Sequence, residues 1–408
     1  MKKTFDVAIV GGGAAGVFAA INSAKLGNKV ALIEKNEKLL QKLKITGKGR
    51  CNLTSSVNSI DEIIENIATN KYFMYSALSS FSNKDTVHFF ENLGVELKEE
   101  RGNRIFPTSD SALTVVNALI SEVKRLKITI IHDKAEKLIV KDGKINALKC
   151  RGELIETEKV IIATGGLSYP KTGSTGDGYK IAKDVGHKIT KLKPSLIGLK
   201  SKDTDIKKLS GLTIKNVSIN LFEKEKSVYK DFGEVLFTHV GISGPIILSA
   251  SSHLSGDFSN VSLHLDLKPA LDFEKLDNRL IRDFTKFERK DFINALDLLF
   301  PKEFAKLLVN RTKIAKDTKV NQITKSQRRS IINLIKDFEI KIVDFESIEN
   351  AIITSGGVDC REIDPKTMQS KLVNGLYFAG EILDVDGYTG GFNLQIAFST
   401  AYVASQLG

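Results

Sequence analysis

Three cysteines, Cys51, Cys150 and Cys360, are all that this chain of 408 residues carries. They lie far apart and are odd in number, with no CxxC and no Cys/His spacing for zinc. That speaks against a disulfide framework, a dithiol redox centre and a metal site. No run of eighteen apolar residues occurs, so no segment reads as membrane-spanning. The opening "MKKTFDVAIVGGG" has two lysines and a short apolar run, but the run breaks at three glycines and lacks a small-residue cleavage site. It reads as a strand rather than a signal peptide, and a cytoplasmic location is expected. A long basic block and a basic–aromatic alternation are missing too. The net charge of +11 therefore reads as a Lys-rich solvated surface, with neither nucleic acid nor a membrane expected as partner. The rest is ordinary for a soluble protein, 42% apolar and 27% charged, on a length that implies two or three domains.

The first thirty-five residues carry the most specific pattern. Val7–Val10 is a short apolar run suited to a strand buried on both faces. Gly11-x-Gly13-x-x-Gly16 follows at once, then a small apolar helix from about Ala14 to Lys25, the Gly27-Asn28 stop, and a second buried strand over 29–33 ending on Glu34. Gly11 permits the tight turn, Gly13 lets the backbone approach a pyrophosphate, and Gly16 lets helix and strand pack closely. Ala14 and Ala15 open the helix, whose free N–H groups favour an anion. Glu34 stands where a carboxylate binds ribose hydroxyls, with Lys35 beside it, and its charge argues against a 2′-phosphate. A dinucleotide is expected; NAD and FAD remain open at this point.

The C-terminal stretch separates them. Leu376–Ala379 reads as a buried strand ending in Gly380-Glu381, and a glycine turn over 387–391 leads into a helix from about Phe392 to Gln406. A helix start behind Gly390-Gly391 is a second site for an anion or a polar ring. In the middle of the chain, the strand Val160–Ala163 ends in Thr164-Gly165-Gly166.

Together, "VGGGAAG", "KITGKGRCNLT", "RIFPTSDSA", "ATGGLSYPKTGSTGDGY", "FTHVGISGP", "TSGGVDCREID" and "GLYFAGEILDVDGYTGGFNLQIAFSTA" resemble, in order and over the full length, a bacterial family of NAD(P)/FAD-dependent oxidoreductases. That family contains aminoacetone oxidase-like and 3-dehydro-bile acid Δ4,6-reductase-like flavoproteins. The resemblance implies an α/β fold: a Rossmann-type FAD-binding domain from both chain ends (1–193 and 348–408), an inserted β-rich, barrel-like domain (194–270) and a helical subdomain (271–347). It implies FAD, with Glu381 on the ribityl chain and Gly391, Phe392, Asn393, Leu394 and Gln395 at the flavin's pyrimidine end. Lys42, Thr46, Gly47, Arg50, Cys51 and Asn52 would line pyrophosphate and flavin, Ala135 would lie near the adenine, and Thr164-Gly165 would return the chain to the dinucleotide.

"TGKGRCN" does not fit GxxxxGK[ST], so it is not a nucleotide-hydrolysis loop. Cys51, lacking a resolving partner, is expected to pack rather than to react. Gly176-Asp177-Gly178 has no strand directly before it and lacks the third glycine, so it is no second nicotinamide fingerprint; NADH or NADPH would bind transiently. Candidate catalytic residues are His239, Tyr169 (with Lys171) and Arg104, although a lone histidine at such a turn is more often structural. Tyr388 and Asn393 are expected at the isoalloxazine. A reductase of an unsaturated or carbonyl-containing small molecule is the expectation. A small-amine oxidase, and a tRNA-modifying or non-catalytic FAD protein, stand as alternatives.

Overall fold

A computed structural model describes residues 3–407 and divides the chain into two units, Met1–Ser195 with Ile348–Gly408, and Leu196–Ser347. In the first unit, five parallel strands run in the order Thr129–Ile131, Val30–Ile33, Val7–Val10, Val160–Ile162, Leu376–Phe378. The four strands other than Thr129–Ile131 are buried along their whole length, which is why they read as unbroken apolar runs rather than alternating ones. The last strand comes from the far end of the chain and pairs with Val160–Ile162, so the sheet needs both termini. Helices Ala14–Lys25 and Phe392–Ser405 pack on one another through Phe18 and Phe398, whose ring centroids are 5.0 Å apart. A separate sheet holds the hairpin Ala135–Lys141 and Lys144–Cys150, which turns at Asp142-Gly143 with positive φ at both residues, the geometry a two-residue hairpin favours.

The second unit is a closed six-strand barrel, in the order Leu199–Ser201, Gly241–Ser243, Lys226–Phe237, Thr213–Glu223, Val261–Asp266, Phe338–Phe345. Helices Phe273–Lys286, Lys302–Arg311 and Lys325–Lys336 are an excursion between the last two barrel strands. Phe304 of the second helix packs between the barrel residues Phe237 and Phe338, at 5.6 Å from each.

The stretch 290–300, inside the region 271–347 expected to be a helical subdomain, holds only a short 3₁₀ turn at Phe292–Asn294. Its backbone is used elsewhere: Phe292 N–H donates to Thr318 O at 2.8 Å and Ile293 N–H to Lys316 O at 3.0 Å. Those donors are then lost to a helix. No helix among the described residues is long and apolar enough to cross a membrane.

Candidate dinucleotide and flavin site

The glycine turn is built as the spacing requires. Gly11 has φ +108°, and a Cβ there would meet Ala163 O at 2.5 Å; a Cβ on Gly16 would fall 1.8 Å from Gly11 O. Those two glycines are consumed by the fold itself. Gly13 differs, since a Cβ on it would meet nothing within 4 Å. It is also the N-cap of Ala14–Lys25, with no side-chain cap, so the first helical N–H groups open onto free space. Glu34 closes the turn: its Oε2 accepts Gly12 N–H at 2.7 Å and its Oε1 accepts Asn36 N–H at 2.8 Å. Each oxygen keeps a second lone pair.

Lys35 Nζ donates to Thr175 Oγ1 at 2.5 Å and pairs with Asp177 at 2.6 Å. Lys134 reaches the same carboxylate at 2.8 Å. Burial pushes Asp177 up, but the two lysines prevail and hold it well below the usual carboxylate range. The Lys35 ammonium is thus neutralised locally and not left for a phosphate. Ala135, next to Lys134, is buried at the start of the hairpin.

A polar cluster joins four separate parts of the sequence. Lys42 Nζ lies 2.5 Å from Glu381 Oε2 and 2.7 Å from Ser168 Oγ. Ser168 Oγ donates to Glu381 Oε1 at 2.9 Å, which also accepts Thr354 N–H at 2.9 Å. Thr354 Oγ1 accepts the N–H groups of Leu167 and Ser168. Gly166 makes room for this, because a Cβ there would lie 2.5 Å from Thr354 Oγ1. A Cβ on Gly380 would touch Ala15 Cβ at 2.8 Å, placing Glu381 beside the N-terminal helix. Lys42 and Glu381 were both expected at the cofactor; Ser168 and Thr354 were not assigned, and only the glycines flanking them hinted at close packing.

Tyr169 follows Ser168 with φ +52°, its ring 5.8 Å from Lys42 Nζ. It is half-buried, and burial raises the phenol above its ordinary value. Gly391, with φ +96°, caps the last helix without a side-chain cap, and a Cβ on it would meet Thr54 C at 2.5 Å. The C-terminal turn therefore lies against the strand that follows "KITGKGRCN".

That loop is a helix, Gln41–Gly49, broken at Thr46, Gly47 and Lys48. The Thr46 hydroxyl is held by Leu43 O at 2.7 Å. Phe392 is buried and Leu394 partly so in the first turn of the final helix.

Several expected roles change. Arg50 does not present its guanidinium to a phosphate: it pairs with Glu100 and Asp110 and lies 4.2 Å over the Phe106 ring, and those two carboxylates raise it above its ordinary value. The nearest anions won. Gln395 is 1% exposed, its Oε1 accepting from Thr54 and Thr86 and its Nε2 donating to Phe81 O and Ser399, so its side chain is a core fastener. Asn393 folds back onto the glycine turn, bonding Gly387 N–H, Gly387 O and Tyr388 O. Arg104 is exposed and donates to Arg101 O. His239 is exposed on the turn between two barrel strands of the second unit. The Cys51 thiol is fully buried and pushed up to about 12 by desolvation, which fits packing and not reactivity.

Asn52 Oδ1 and Thr164 Oγ1 are buried with no hydrogen-bond partner among the described residues. Both fall in the segments expected to line the cofactor; Thr164 precedes Gly165, with φ +70°, and its Oγ1 faces Gly178, where a Cβ would lie 2.0 Å away. With the open Gly13 and the two uncapped helix starts, the donor set fits a long, polar, anionic dinucleotide.

Comparison with known proteins agrees. A model of the HI0933-like protein Rossmann domain matches residues 5–407. The 3-dehydro-bile acid delta(4,6)-reductase of Clostridium scindens is 29% identical over 405 residues, covering 98% of either chain. The ribosomal RNA dihydrouridine synthase of Haemophilus influenzae is 32% identical over 411 residues, covering 99% of this chain and 98% of its own. Among solved structures, a 3-ketosteroid delta1-dehydrogenase from Sterolibacterium denitrificans shares the fold at a TM-score of 0.53 and 14% identity, covering 99% of each chain. The chain belongs to the HI0933-like family of Rossmann flavoproteins and is an FAD-dependent oxidoreductase.

Proposed function

We infer that the chain reduces a carbon–carbon double bond conjugated to a carbonyl, with NADH or NADPH as electron donor. One observation carries this: two full-length relatives at 29% and 32% identity bear names that look unrelated but describe one bond change. A 3-dehydro-Δ4,6 steroid has double bonds in conjugation with its C3 carbonyl. Uridine has a C5–C6 double bond conjugated to the C4 carbonyl. Bound FAD, once reduced, supplies the hydride for the electron-poor carbon.

The chain's own residues divide the remaining work. The two uncapped helix starts, behind Gly13 and Gly391, present N–H groups to the pyrophosphate and the pyrimidine edge. Glu34 takes the adenosine ribose and Glu381 the ribityl hydroxyls, the latter held in place by Lys42, Ser168 and Thr354. The Tyr169 hydroxyl, on the turn beside Ser168 with its ring 5.8 Å from Lys42 Nζ, holds the proton that the second carbon needs. Dithiol relay is not built in, since Cys51, Cys150 and Cys360 are each free and buried.

The uracil ring of ribosomal RNA is the favoured substrate, on the higher identity to the dihydrouridine synthase and on the excess of positive charge. The test offers NADH or NADPH with either an unmodified ribosomal RNA transcript or a steroid 4,6-dien-3-one, and looks by mass spectrometry for gain of two hydrogens. Gain by the transcript supports the full reading, and gain by the dienone alone moves the substrate to small enones. Gain by neither rejects the conjugated-bond reading.

A further inference from the structure

We propose that the helical excursion of the second unit carries a docking surface for the phosphate backbone of RNA. The charge is less evenly spread than the scatter of lysines along the sequence implies. Residues 282–329 hold thirteen Lys and Arg against six Asp and Glu, a balance of +7 out of the whole chain's +11. No uninterrupted basic block exists; folding assembles the cluster from separate stretches.

Helix Phe273–Lys286 packs against Lys325–Lys336, with Arg328 paired to Asp277. The segments that follow the first helix and precede the second are zipped together. Val320 N–H donates to Lys290 O at 3.1 Å, Ile293 N–H to Lys316 O at 3.0 Å, and Asp291 bridges to Lys319. This gathers the C-terminal end of one helix, the 287–291 turn, the 316–321 segment and the start of the other helix.

Lys286, Arg289, Lys290, Lys316, Lys325 and Arg329 are all exposed there, with no carboxylate in ion-pair reach among the described residues. Lys306, Arg311, Lys319 and Arg328 nearby each have an acidic partner instead. Lys290 Nζ sits 4.0 Å over the Phe287 ring and Arg329 lies 4.8 Å over the 42% exposed Phe273. Cation and aromatic ring side by side suit phosphate contact and base stacking together.

The same layer is poorly suited to an anionic membrane. The apolar stripes of both helices, Leu276, Leu280 and Phe284 on one and Ile331, Ile332 and Ile335 on the other, are turned inward and buried. An amphipathic helix lying on lipid needs that face free. A polyanion read through its backbone needs only the cations.

This rests on the reading of ribosomal RNA as substrate, and the test separates the two. Binding of a ribosomal RNA transcript is measured by fluorescence anisotropy across a potassium chloride series. The proteins are the FAD-loaded wild type, the triple variant Lys286→Gln/Arg289→Gln/Lys290→Gln, and a control that loses three exposed lysines of the first unit, Lys141→Gln/Lys144→Gln/Lys149→Gln. All substituted side chains are exposed, and retained yellow colour with an unchanged melting temperature verifies folding.

The expected result is a loss of about tenfold or more in affinity and a fall of about 2 in the slope of log K against log salt, since each lost phosphate contact removes roughly 0.7–0.9. The control should keep both values. Equal losses in both variants, or none in either, overturn the surface even if the wild type still saturates uridines in the transcript. A wild type that neither binds nor reduces the transcript rejects the substrate reading, and the surface with it.

Discussion

At the residue scale, the three fingerprint glycines do different jobs, and substitution distinguishes them. Gly16→Ala would drive a methyl group to 1.8 Å from Gly11 O, where only backbone could give way, so we expect no soluble folded protein. Gly13→Ala should fold with stability changed by no more than about 1 kcal/mol, because its Cβ enters open space, yet lose FAD by about tenfold or more. Thermal melts and the flavin absorbance of purified protein read both. Lys42→Met leaves the 19% exposed Glu381 carboxylate without its cation, and we expect FAD affinity to fall by about tenfold.

The places of the glycines, Glu34 and Glu381 at strand ends and turns were legible in the sequence, because they follow from position along a strand–turn–helix unit. Arg50 and Gln395 were not, because each had to choose among partners that only folding brings near. Arg50 found Glu100, 50 residues away, and Gln395 found Thr54, 341 residues away. Gln395→Leu should cost about 1–3 kcal/mol, read in denaturant melts, by stranding the buried Thr54 hydroxyl, while Thr86 keeps Ser82 O and the Phe81 carbonyl keeps Ser399.

At the element scale, strands buried on both faces and the two helices around the glycine turns were readable from periodicity and punctuation. The 290–300 stretch misled because its apolar spacing is compatible with a helix while its N–H groups are taken by a partner strand-like segment. A different inter-element tie gives a pH signature. His187 is buried, with Nδ1 3.0 Å from Glu362 Oε2 and Nε2 2.8 Å from Ser370 Oγ, linking the end of helix Asp177–Asp184 to the segment around Cys360. Desolvation, the larger influence, lowers its pKa below the ordinary 6.5 although Glu362 pulls the other way. The unfolded chain therefore binds the proton more readily. His187 contributes stability that is fully present above about pH 6.5 and is lost as pH falls through the depressed folded value. The melting temperature should drop between about pH 7 and 5 by more in the wild type than in His187→Gln.

At the scale of the whole molecule, assembly of the nucleotide unit from both chain ends was readable, since strand Leu376–Phe378 completes a sheet begun by Val7–Val10. The barrel's closure was less so: strand Phe338–Phe345 lies beyond three helices, and no local signal says which sheet it joins. Charge organisation was missed for the same reason, because the cations of 286–290 and 316–325 become neighbours only through long-range backbone pairing.

The most direct test of the account is to mix the FAD-loaded protein anaerobically with NADH and with NADPH, and then to add ribosomal RNA transcript or steroid dienone to the reduced sample. The account predicts bleaching of the oxidised flavin spectrum by one nicotinamide and its return, without oxygen, on adding one of the conjugated substrates. A protein that keeps FAD but is bleached by neither nicotinamide, or that stays bleached with both substrates, would contradict it.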